Sequence, residues 1–260
     1  MIGPIAPAAP TTTTGTRQLY KRPPVVEAVV DIQVKPSEGL DLQVLARVQS
    51  GEEQKYPTIQ PLQSGSVTLD AKTGVVVESV KSMVGYRFAD AASTAVLQAK
   101  TQGFSYSRLT PYSRWENWSD EAHRLWSKYR VVTNPTAVHR LAVRYINRIE
   151  YPKEAAKRIR DYLNVFPEVP SALPSGVGGL LMRVELRRAD VPDGLLILSL
   201  GRTEPSTPDH VALLLDLDVI QNVDFPPQDP RVWETIESLH DRENEFFESC
   251  ITDLARELFA

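Results

Sequence analysis

Apolar and polar residues alternate most cleanly near the start of the chain. Val26, Ala28, Val30, Ile32 and Val34 leave one side of an extended segment, and Glu27, Val29, Asp31 and Gln33 leave the other. This pattern predicts a strand with one core face. Pro36-Ser37-Glu38 then opens a short amphipathic helix through Leu40, Val44, Leu45 and Val48, which Gly51 stops. From Val67 to Arg108 the spacing gives short β-rich runs: Val67–Leu69, Val75–Val80, Tyr86–Ala89, Ala95–Lys100 and Phe104–Arg108. Turns are expected at Lys72-Thr-Gly74 and Gln102-Gly103, which makes an antiparallel meander. Ser113-Arg-Trp-Glu116 has the composition of a capping box, and Trp115, Trp118, Ala122, Leu125 and Tyr129 follow at helical steps to about Arg130.

The same order then returns. Val138 to Pro152 reads as a second strand, and Arg140, Arg144 and Arg148 stand at even offsets, so all three leave one face of the pleat. A helical segment follows from Lys153 to Tyr162, then a proline-rich connector. Further β-runs span 180–188, 195–201 and 211–218, with a turn at Val191-Pro-Asp-Gly194. Asp229-Pro230 starts a helix that Trp233, Ile236, His240, Phe247, Ile251, Leu254 and Leu258 continue without interruption to the end. The expected fold class is therefore α+β: a duplicated strand–helix–antiparallel meander–long helix unit of the TATA-binding-protein-like or helix-grip kind, in two pseudo-repeats. The first repeat is assigned to residues 20–132 and the second to 133–260, as two units or one joint domain. The proline-, glycine- and threonine-rich segment Met1–Thr16 reads as a disordered tail, drawn to residue 19.

Composition narrows the function. With 29 basic and 33 acidic residues the net charge is −4, which disfavours nucleic acid held by overall attraction and leaves room only for a local basic stripe. The single cysteine, Cys250, excludes an internal disulfide and reads as a small buried apolar residue. Without a membrane-spanning apolar run or a signal-like start, a cytoplasmic protein is expected.

Pro23-Pro-Val-Val-Glu-Ala-Val-Val30, Arg140-Leu-Ala-Val-Arg-Tyr-Ile-Asn147 with Ile149 and Pro152, and the closing helix with Phe246, Phe247 and Ile251 together resemble a sporadically distributed bacterial family of uncharacterised proteins. The resemblance covers nearly the whole chain after Tyr20. It implies no catalytic residue or cofactor, and the patchy distribution is similar to that of accessory genes in mobile or defence loci.

No phosphate-binding Gly-x-x-x-x-Gly-Lys-Ser/Thr loop, Gly-x-Ser-x-Gly elbow or His-Glu-x-x-His helix occurs, and Gly176-Val-Gly-Gly179 lacks the flanking strand and helix of a dinucleotide site. His123 and His240 hold comparable places on the two long helices, and both read as satisfied or exposed histidines rather than metal ligands. Trp115 and Trp118 fall on the core stripe; Trp126 lies off it and is expected to reach a surface.

The most informative residues are the three arginines with Asn147, and the acids Glu27 and Asp31 on the first strand. Guanidinium forks pair bidentately with carboxylate or phosphate, so three readings stand: an internal ion-pair ladder joining the halves, an exposed docking patch, or a pocket for an anionic small molecule. In the first, Glu27 meets Arg144, and at least one of Arg140 and Arg148 is exposed. The expected function is a non-catalytic protein-interaction component, without cofactor, of a bacterial accessory, defence, immunity or toxin-neutralising system. Its partner would be another protein encoded nearby or a second copy of the chain, not a membrane and not nucleic acid. The alternative is a small-molecule-binding or enzymatic helix-grip domain with a cup between sheet and long helix.

Overall fold

A computed structural model describes residues 19–69, 76–153, 158–168, 170, 172, 178–188, 190, 191 and 193–260. The expected tail to residue 18, the Lys72-Thr-Gly74 turn, Ala155 and Ala156 of the expected helix and part of the glycine-rich 176–179 lie outside these residues.

The alternating segment forms β1 (Val25–Lys35). Its core face is Ala28, Val30, Ile32 and Val34, while a bulge between Val25 and Glu27 turns Val25 inward in place of the expected Val26. A 3-10 helix (Leu42–Gln49) follows, and it starts four residues after Glu38 because Asp41 is the residue that caps it, accepting the Gln43 N–H at 2.9 Å. The meander is β2 (Thr58–Leu69), β3 (Val76–Ala89), β4 (Ala95–Lys100) and β5 (Gly103–Leu109). β3 runs continuously where the sequence suggested two pieces, and β2 begins well before Val67. Pro61 is tolerated inside β2 because that strand lies at the sheet edge. Gly103 has to be glycine: a Cβ there would come within 2.6 Å of the Ile32 carbonyl oxygen.

Helix α1 (Glu116–Thr133) carries the predicted stripe into the core, since Trp118, Ala122, Leu125 and Tyr129 are all buried. Trp126 is buried too, against expectation, stacked on Tyr129 and edge-on to Phe104. The Ser113/Glu116 capping box does not form; Trp115 begins the helix with no side-chain cap. Asn134 ends it in the left-handed region (φ 44°), its N–H on the Arg130 carbonyl, and Pro135 prevents continuation.

The second half supplies β6 (Ala137–Pro152), the short α2 (Ile159–Tyr162), β7 (Leu181–Arg187), β8 (Gly194–Thr203), β9 (His210–Phe225), α3 (Arg231–Cys250) and α4 (Asp253–Phe259). The predicted turn before β8 closes with the Gly194 N–H on the Val191 carbonyl at 3.1 Å. The terminal helix is not continuous. Ile251 is extended and bridges to Leu163, with Asn164 N–H on the Cys250 carbonyl and Thr252 N–H on the Tyr162 carbonyl, so α3 stops and Thr252 caps a new helix.

The nine strands among the described residues form one antiparallel sheet in the order β2-β3-β4-β5-β1-β6-β9-β8-β7. The protein is thus α+β, with a few helices on an open sheet. Register explains where the core sits. Phe88, Leu97, Tyr106, Val30, Val143, Val219 and Leu196 stand side by side across seven strands, and every one is buried. On this face α3 packs over β6 and β9, and the 3-10 helix over β3 and β4 beside α1. One residue along, the row Ala89, Val96, Ser107, Val29, Arg144, Asp218 and Ile197 leaves the opposite, outer face.

Candidate functional site

The outer face is where the sequence placed its arginines, and register assembles the rest. β1, β6 and β9 run side by side at the centre, so even-numbered positions of β6 stand among odd-numbered positions of β1 and even-numbered positions of β9. Arg140 donates to Asp31 at 2.8 Å and lies 3.6 Å from Asp218. Asp31 also receives Lys100 of β4 at 3.4 Å. Arg144 stands directly opposite Asp218 but forks onto the diagonal neighbour Asp216, with Nε and Nη2 bonds of 2.7 and 2.6 Å. Arg148 holds Glu150 at 2.9 Å and the Glu204 carbonyl at 2.7 Å, and Glu150 in turn accepts the Ser206 N–H and hydroxyl. The result is a ladder of alternating charge across four strands.

Three expectations are corrected by this geometry. The hydrogen-bonded partner of Arg144 is Asp216, not Glu27; Glu27 pairs in register with Ile146 and acts on Arg144 only through its charge. Arg144 is also the most exposed of the three guanidinium groups, at 44%, whereas Arg140 and Arg148 are more enclosed. Asn147 does not belong to this face. As an odd-numbered position of β6 it points under the helices, buried, with its amide 3.4 Å from the Leu215 carbonyl. The sequence reading missed Asp216 and Asp218, although Leu213-Leu-Leu-Asp-Leu-Asp218 alternates acid with leucine at the spacing that sends both carboxylates to one face.

Electrostatics single out Asp218. Burial raises its carboxyl to about 6, against the lowering effect of Arg140 and Arg144, because neither guanidinium gives it a hydrogen bond as close as those on Asp31 and Asp216. Glu150 goes the other way. Burial opposes its charge, but the Ser206 N–H and Arg148 hold it below the ordinary carboxylate range.

Two further places carry chemistry. A cleft of about 360 Å³ lies between α1 and the start of α3, lined by His123, Trp126, Arg130, Pro227, Val232 and Trp233 among others. His123 stacks on Trp233 at 4.4 Å and 12°, and burial, then Arg130, lowers its pKa. Under α3 the Tyr112 hydroxyl lies 3.0 Å from that of Tyr145, which lies 3.1 Å from His240 Nδ1; His240 stacks on Trp115, whose indole N–H donates to Glu237. Glu243, one turn on, is fully enclosed and desolvation pushes its carboxyl well up. Where a cup between sheet and long helix was expected, Ile236, Leu239, His240 and Phe247 are buried. Among the described residues no cluster of three or more His, Cys, Asp or Glu side chains is arranged to hold a metal, and no helix is long and apolar enough to cross a membrane.

No protein-family model matches the chain, and no curated protein matches it.

Proposed function

We propose that this chain is a non-catalytic protein-binding component that meets a protein partner on the outer face of its sheet, around Arg144. The observation that carries this reading is the charge ladder. Lys100, Arg140, Arg144 and Arg148 alternate with Asp31, Asp218, Asp216 and Glu150, and fixed pairs hold the guanidinium groups in place. A near-balanced face offers no net attraction to a polyphosphate strand, while fixed charges of both signs are what sets register against another protein. The bacterial accessory, defence, immunity or toxin-neutralising setting rests on the family resemblance alone. The test is co-expression with the product of the neighbouring gene. Arg144→Gln and Arg148→Gln should abolish co-purification and its salt dependence while each variant still unfolds in one cooperative melt, whatever the loss of the Asp216 and Glu150 pairs does to its midpoint. A complex that survives both changes sinks the reading.

The duplication belongs to the same proposal. It is supported by the sheet order, in which β1 and β6 meet at the centre and the last strand of each half, β5 and β9, lies just outside its first. Residues 20–132 and 133–260 expressed separately should reassociate through β1 and β6; halves that never combine count against it. A second functional reading, a small-molecule site, is favoured by the α1/α3 cleft. A flat ligand stacking beside Trp233 would quench indole fluorescence, and a Trp233→Phe variant that binds the same ligand unchanged would exclude that cleft.

A further inference from the structure

The two edges of the sheet differ. β2 carries Pro61, which has no N–H to offer, but β7 presents the seven-residue run Leu181-Met-Arg-Val-Glu-Leu-Arg187 with no further strand beyond it among the described residues. Leu181 is 88% exposed and Leu186 47%.

The direction of its backbone groups follows from the inner side. Leu180 accepts the Arg202 N–H and Arg188 donates to the Gly194 carbonyl, both at 2.9 Å. An antiparallel ladder alternates, so Met182, Val184 and Leu186 spend their backbone bonds on β8. Leu181, Arg183, Glu185 and Arg187 direct their N–H and C=O groups outward.

We propose that β7 is a self-association edge, with two copies of the chain pairing β7 to β7 antiparallel about a twofold axis through Val184. This register places Arg183 opposite Glu185 of the other copy, and by symmetry Glu185 opposite Arg183, at the positions whose backbone groups are free to bond. Met182 meets Leu186 and Val184 meets itself on the helix-covered side. Leu181 meets Arg187 on the outer side, where the arginine stem covers the exposed leucine. Among registers that set the outward-bonding positions against each other, only two others keep at least five residues of β7 paired. Centring on Arg183 sets Arg183 against itself, and centring on Glu185 sets Glu185 against itself, so like-charge opposition disfavours both. In the single chain Arg183 and Glu185 hold each other along the strand at 2.9 Å with both side chains more than half exposed, and pairing exchanges that contact for the one across the interface. The product is one sheet continuous across two copies, with both charge ladders on its outer side. This inference does not depend on the outer face being a partner site.

The test is sedimentation velocity on the full chain from roughly 1 μM to 1 mM, the range in which an interface this small associates. The chain should pass from monomer to dimer across that range. Arg183→Glu and Glu185→Arg should each weaken the dimer roughly tenfold or more, and the double exchange Arg183→Glu/Glu185→Arg should restore it, because the pair is re-formed with its signs reversed. If a single variant fails to fold, the double exchange against wild type still carries the test. A chain that stays monomeric throughout, a dimer indifferent to both single reversals, or a double exchange that does not recover overturns the proposal.

Discussion

Replacing Asp218 by asparagine tests the electrostatic account of the outer face most directly. The folded carboxyl is raised from 3.8 to about 6, with burial as the leading cause. A raised carboxyl pKa means that the folded chain holds the proton more tightly than the unfolded one. The contribution to stability is therefore complete below pH ~4 and is lost as pH rises through about 6. At about 1.4 kcal/mol per unit of pKa, the loss amounts to about 3 kcal/mol by pH 8. Asparagine has the same shape and no charge to desolvate, and Asp218 gives up only the 3.6 Å contact with Arg140, whose effect is already included in the raised value. Thermal melts of wild type and Asp218→Asn at pH 4 should nearly coincide. At pH 8 the variant should melt higher by about 6–12 °C, the shift that about 3 kcal/mol produces in a chain of this size. A variant that melts lower than wild type at pH 8 would show that Arg140 and Arg144 more than repay the burial of the charge, and the reasoning fails.

Two other perturbations probe the covered side of the sheet. Glu243 is enclosed and pushed up by desolvation, so its favourable contribution is present at acid pH and fades as pH rises; Glu243→Gln should flatten the alkaline loss of stability, and an unchanged pH profile would show that the fold does not raise its pKa. Trp115 is buried against His240 and bonded to Glu237, so Trp115→Ala should cost about 3–5 kcal/mol in denaturant unfolding, whereas Trp233, partly exposed at the cleft, should cost about 1–2 kcal/mol; equal losses would contradict the placement of the two rings.

A sheet that buries a single face writes that face into every second residue, which is why β1, β6, the stripe of α1 and the common side of Arg140, Arg144 and Arg148 were legible in the sequence. Local chemistry set the turn before β8 and the composition of the long helices for the same reason: neighbours along the chain decide them. The rest depended on residues far apart in sequence. Arg144 could not be matched to Asp216 before β9 was known to lie beside β6, because an acid at the right spacing has no address until register gives it one. Asn147 looked like part of the arginine motif and went to the other face by the parity of its position. Trp126 was drawn inward by Phe104 and Tyr129, and α3 was cut short at Ile251 because Leu163 and Asn164 took over its last backbone groups. Periodicity and turn chemistry are properties of a segment and survive in sequence; charge pairing, helix ends bonded by distant strands and the raised carboxyl of Asp218 are properties of neighbours in space, and only the folded chain supplies them.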